Sequence, residues 1–239
     1  MKHRPHFPRD VALGTCFAAL FTASFAPAPA LAGPCPPSEW AFTTVNGWQT
    51  TTAAVFDTSA GMTGIGGVRV SIDVTAGRLG VLRCCGLGVT ATRLVDAFDV
   101  TGVPPGTNVT SVAELAMDGM ILGTGCGGSG CWGDLRGTIA YGTLSYQQLL
   151  TGQVYGADSV HVSGSVKLPV TITAGTPLPI SFMLEAYEAA GGSNGAHGTG
   201  TIRFLSLPAG VHVVSCKGFA SDVTPARTAS WGTLKVLYR

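Results

Sequence analysis

Charge is what this sequence has least of. Only 14 Lys or Arg and 13 Asp or Glu occur in 239 residues, and past the first ten positions the basic residues are dispersed. A nucleic-acid surface needs a clustered basic stripe, so no nucleic-acid partner is expected. Cys-x-x-Cys spacing is absent, and past the leader the only histidines are the scattered His161, His197 and His212. That argues against a zinc site, and neither a metal ligand set nor a cofactor is expected. Long helical patterns are missing too. The longest apolar run, Val11 to Phe25, falls short of the roughly 20 residues that span a bilayer.

That run belongs to a leader. Lys2, Arg4 and Arg9 precede it, and Ala30-Leu31-Ala32 follows it after Pro27 and Pro29. A basic start, a short apolar core and an Ala-x-Ala end make a secretory signal peptide with cleavage after Ala32. The two prolines and the short run argue against a membrane anchor. Thr15 is bulky for the position before an acylated cysteine, which argues against a lipoprotein anchored at Cys16. Removing residues 1–32 takes three basic residues and one acidic residue, leaving 11 and 12 in a mature chain of 207 residues with a net charge of −1. The mature protein is expected to be secreted or held in the cell envelope, with no transmembrane anchor.

What the mature chain has in quantity is Gly, Thr, Val and Ala arranged in alternating runs. Val68, Val70, Ile72 and Val74 alternate with Arg69, Ser71 and Asp73, the period of a half-buried strand. Similar runs recur over 40–45, 50–56, 79–85, 89–100, 108–117, 135–144, 159–173, 178–187, 197–207 and 211–218, bounded by Gly, Pro, Asn or Asp. Many short strands with frequent turns predict an all-β fold. The expectation is a single antiparallel β-sandwich of jelly-roll type over residues 33–223, since this length closes around one core. Two turns share a pattern, Val103-Pro-Pro-Gly106 and Leu207-Pro-Ala-Gly210, where Pro presets the bend and Gly supplies a positive φ. Tyr146 to Leu150 reads as a single helical turn. Residues 224–239 read as a linker and tail: Trp231, Leu234, Leu237 and Tyr238 fall at helical spacing behind Ser230, predicting a short C-terminal helix or a sorting tag.

Six cysteines survive removal of the leader: Cys35, Cys84, Cys85, Cys126, Cys131 and Cys216. An even number in an exported chain predicts disulfides. Cys126 and Cys131 flank Gly-Gly-Ser-Gly, which lets them meet each other. Cys84 and Cys85 point to opposite faces of one strand, so they are expected to reach Cys35 and Cys216 separately.

Residues with potential chemistry are few. Gly191-Gly-Ser193-Asn-Gly195 fits the pattern of a serine nucleophile, but no helix pattern follows and no acid is placed to complete a triad. Asp96 with Asp99, and Glu185 with Glu188, are carboxylate pairs whose odd spacing sends the partners to opposite faces. They read as solvent-facing charges, and so do the histidines. Asn108-Val-Thr110 is a glycosylation sequon. Trp132 at a constrained tip, and Trp48, are the candidates for stacking on a sugar ring, because apolar ring faces suit pyranose rings.

Phe98-Asp-Val-Thr-Gly-Val-Pro-Pro-Gly-Thr-Asn-Val-Thr110 and Gly198-Thr-Gly-Thr-Ile-Arg-Phe-Leu-Ser-Leu-Pro-Ala-Gly210 resemble segments of uncharacterised exported bacterial β-sandwich proteins, many of which carry a C-terminal sorting tag. The chain departs from them in lacking a Pro-Glu-Pro element, a terminal membrane run and a basic tail. The resemblance implies fold and compartment and brings no catalytic residues. Together these readings point to a non-enzymatic structural, adhesive or matrix protein. The alternatives are a carbohydrate-binding module meeting polysaccharide or other cell-surface components, and a secreted hydrolase.

Overall fold

Every regular element among the described residues is a strand. The computed structural model describes residues 35–41, 48–61, 67–84, 88–123, 126–156, 158–188 and 194–221. The expected leader (1–32), the Asn46-Gly47 turn, Ser193 and the tail (224–239) lie outside them. The opening strands are β1 (Ser38–Ala41), β2 (Gln49–Thr51), β3 (Val55–Gly61), β4 (Gly67–Asp73) and β5 (Arg78–Cys84). The long strands follow: β6 (Gly88–Thr101), β7 (Asn108–Gly123), β8 (Cys126–Tyr141), β9 (Leu144–Gly156) and β10 (Ser159–Thr173). The chain continues through β11 (Leu178–Glu188), β12 (Asn194–Leu205) and β13 (His212–Ser215).

These strands form two packed antiparallel sheets. The first runs β2-β1-β6-β11-β8-β9, with β13 also on β6; the second runs β10-β7-β12-β5-β4-β3. Strands β8 and β9 pair, and around them β7 pairs with β10, β6 with β11 and β5 with β12, a nested series. The core lies between the sheets and is built by the alternation visible in the sequence. Val68, Val70, Ile72 and Val74 are buried, the last three in one cluster with Phe98, Phe182, Phe204 and Phe219. Phe98 sits 5.2 Å from Phe204 and 5.8 Å from both Phe182 and Phe219, centroid to centroid. Truncating such a fully buried phenylalanine costs about 3–5 kcal/mol. At the β8 end the sheets approach closely: a Cβ on Gly137 would stand 2.4 Å from the Met117 sulfur. The two Pro-Gly turns behave as expected, with Gly106 at φ 82° and Gly210 at φ 76°.

Two expectations are corrected. Tyr146 to Leu150 is no helical turn; it lies within β9, paired from Ile139↔Tyr146 to Leu135↔Leu150. The apolar spacing imitates a helix, but the ladder with β8 overrides it. The cysteine pairing also differs. Cys35 is bonded to Cys216, across 181 residues of chain. Strands β1 and β13 both lie on the edge of β6 that β11 leaves free, β1 against Ala91–Arg93 and β13 against Phe98–Thr101. The residues just before β1 and just after β13 are thereby brought together. Cys84 is disulfide-bonded as well. Its partner is neither Cys35 nor Cys216, which are joined to each other; the side chains of Cys85, Cys126 and Cys131 lie outside the described residues.

Candidate functional site

On the outer face of the first sheet, Trp132 pairs with Gln153 of β9, and Asp134 pairs with both Tyr187 of β11 and Thr151 of β9. Because Gly133, Leu135 and Gly137 turn inward, the alternation sends Trp132 and Asp134 outward. Tyr155 and Tyr187 are outward by the same rule, since Val154 and Ala186 are buried. Trp132 is 49% exposed, Tyr155 53% and Tyr187 40%, so three aromatic side chains stand open at one corner of the sheet. Beside them, at the turn from β9 to β10, an open cleft of about 510 Å³ is lined by Gln153, Val154, Tyr155, Asp158, Ser159 and Val160. That volume is in the range of small-ligand sites. The ensemble offers ring faces for stacking, with an amide, a carboxylate and a hydroxyl for hydrogen bonds.

Trp48 is also exposed, but it belongs to a different place. The Arg93 guanidinium lies 5.1 Å from its ring centroid, and Arg93 also pairs with Glu39. Trp48 sits just before β2, four strands from β8. At about 4.8 Å per strand, roughly 20 Å separates them across the sheet alone. The two tryptophans singled out from sequence therefore do not form one platform.

The most concentrated polar chemistry is buried and lies on the opposite side of this sheet. Asp96 is fully buried, in register with Leu94 and Phe98. Its Oδ2 accepts from Ser215 Oγ at 2.5 Å and from the Lys217 amide at 3.3 Å, and its Oδ1 accepts from the Ala97 amide at 2.8 Å. Lys217, 7% exposed, donates its ammonium to Ser38 Oγ at 2.6 Å and to the Val95 carbonyl at 3.1 Å. Burial pushes the Asp96 carboxyl above the ordinary carboxylate range, against the hydrogen bonds that favour its ionised form. Burial likewise pushes the Lys217 ammonium below the usual lysine value, opposed by the charge of Asp96. Perturbed acids and bases in a cleft suggest catalysis. Here they tie β13 and β1 to β6 beside the Cys35–Cys216 bond, through contacts within the fold.

Asp96 and Asp99 do face opposite ways, as their spacing requires, but neither is solvent-facing. Asp99 is 7% exposed, and its Oδ1 accepts from the Val100 amide at 2.7 Å and the Gly175 amide at 3.0 Å. The sequence pattern placed these charges on half-exposed strands; the β13 flap and the β10–β11 turn cover them. Glu185 is half-buried opposite Arg136, at 3.9 Å, and burial raises its carboxyl above the usual range. His161 is exposed, 2.6 Å from Asp118, and His161 and His197 flank Met120 on the outer face of the second sheet. His212 lies in β13 of the first sheet. Among the described residues no three His, Cys, Asp or Glu side chains are grouped as metal ligands. Ser193 lies outside the described residues. Asn108 of the sequon is exposed and accepts from Thr173 Oγ1 at 2.8 Å.

Trp132, singled out from sequence as a stacking candidate, is exposed at this corner; Tyr155, Tyr187 and the cleft were not singled out. Their only signal was alternation, and which strands lie side by side is not written in that period. No protein-family model matches the chain, and no curated protein is significantly similar to it.

Proposed function

We propose that this chain is an exported, non-enzymatic β-sandwich protein with a structural, adhesive or matrix role, released or kept in the cell envelope once residues 1–32 are removed. The observation that carries this reading is the fate of the buried ionisable groups. Asp96, Lys217 and Asp99 are bonded into the fold rather than aimed into a cleft. The resemblance to exported bacterial β-sandwich proteins agrees with it. The nested pairing of β5 through β12 supports the finer reading of the sandwich as a jelly roll, and residues 230–239 would add a short helix or tag. Incubating the purified mature protein with polysaccharides and ester substrates is the test. No turnover is expected, and turnover abolished by one point substitution would refute the reading.

A second reading is favoured by the open aromatic corner: binding of a glycan whose pyranose rings stack on Trp132 and Tyr155, with Gln153 and Asp158 meeting its hydroxyls. Sugar rings offer an apolar face and a polar rim, which this corner matches. Glycan binding measured by calorimetry should weaken about tenfold or more in Trp132→Ala and in Tyr155→Ala, and stay unchanged in Trp48→Ala. Equal binding by all three variants would exclude this corner.

A further inference from the structure

Besides β13, whose outer side is closed by residues 219–221, four strands end the two sheets, and three of them carry features that discourage pairing with another chain. Strand β2 is three residues long. Strand β3 carries Asp57, held by Arg69 of β4 at 2.8 Å. Strand β10 carries Lys167 and, at its pairing with Val112, Pro169, which has no N–H to offer. Short edges, charges and prolines are the usual means of blunting a sheet edge. Strand β9 has none of them. Its thirteen residues, Leu-Ser-Tyr-Gln-Gln-Leu-Leu-Thr-Gly-Gln-Val-Tyr-Gly, include no charge and no proline, and β8 is its one strand neighbour among the described residues. Its first six residues, 144–149, are exposed on both faces, with Leu144 and Tyr146 each 47% open although they share the inward register of Leu150 and Val154.

We propose that β9 is the docking edge for a second copy of this chain, paired antiparallel across a two-fold axis near Gln147 so that the first sheets of two molecules run together. A two-fold contact puts a strand against itself, so its charges meet their own kind. Of the three long edges, β3, β9 and β10, only the uncharged β9 escapes that repulsion. With the axis at Gln147, Leu144 lies against Leu150 of the other copy and Tyr146 against Gln148. The exposed apolar side chains are covered, and main-chain groups on the open edge gain partners.

The test is sedimentation of the full secreted chain over a range of concentrations, with Gln147→Lys and Gln147→Glu. Position 147 is exposed and opposite Thr138, so neither change disturbs the core, and unchanged thermal melts will verify it. The wild type is expected to dimerise, each variant alone to associate at least about tenfold more weakly, and an equal mixture of the two to recover the dimer through a Lys–Glu pair. A wild type that stays monomeric throughout, a Gln147→Lys protein that dimerises as well as the wild type, or a mixture that fails to recover would each overturn the proposal.

Discussion

The two edges of the first sheet are finished in opposite ways. On the β6 side, β1 and β13 share one edge, Cys35 is bonded to Cys216, and Asp96, Lys217, Ser215 and Ser38 are linked beneath them. On the β9 side, Leu144, Tyr146, Leu149 and Tyr155 stand about half open along a strand with no charge. One edge hides polar groups and the other shows apolar ones. Buried polar groups persist only when bonded, so the first edge is spent on holding the fold. Exposed apolar groups with a free backbone edge are costly unless used, so the second edge is where contact with other molecules is expected. The contrast separates what keeps the molecule folded from what it presents.

The contrast breaks most visibly if the sealed edge tolerates damage. Asp96→Ala strands the Ser215 hydroxyl and the Lys217 amide and removes the charge that offsets the buried ammonium. A loss on the order of 3 kcal/mol is expected by denaturant unfolding. A loss below about 0.5 kcal/mol would mean that the cluster does not hold the edge.

A smaller effect is expected from pH. Asp96 and Glu185 have carboxyls raised in the folded state, so the native protein keeps protons there that the unfolded chain gives up. Stability from these groups is present in acid and lost as pH rises from the ordinary carboxylate value through their raised values. Lys217 has a lowered value, so its contribution returns only in alkali, as pH climbs from that lowered value toward the ordinary one. Asp57, lowered by its hydrogen bond with Arg69, runs the other way in acid but is exposed to solvent. Unfolding measured across pH should therefore lose part of its acid-side slope in Asp96→Asn. An unchanged slope would assign it elsewhere.

The smallest effect sharpens the other half of the comparison. Leu149→Ser on β9 should change monomer stability by no more than about 0.5 kcal/mol, as for other surface positions. A loss of several kcal/mol would mean that β9 is a structural edge after all.

Much of the sandwich was legible in advance, because its signals are local. The Val68 to Val74 alternation, the Pro-Gly turns at Gly106 and Gly210, and the long runs of β6, β10 and β11 are all set by neighbours in sequence. The failures are long-range. Asp96 read as a surface charge because only β13, over a hundred residues later, covers it. Cys35 and Cys216 did not read as partners because only the shared edge of β6 joins them. Tyr146 to Leu150 read as a helical turn because β8 was not yet beside it. Trp132 was singled out as an aromatic residue at a tip, yet its companions Tyr155 and Tyr187 become neighbours only through the β9-β8-β11 order. The bareness of β9 lay in plain sight as a sequence, but that it ends a sheet did not.

Amide hydrogen exchange of the intact protein, compared between dilute and concentrated solution, tests the division between the two edges most directly. Amides of β6 and β13 near Asp96 should be protected at both concentrations, while those of residues 144–150 that point away from β8 should exchange fast when dilute and slow on concentration. Exchange over 144–150 that is independent of concentration, or fast exchange beside Asp96, would contradict it.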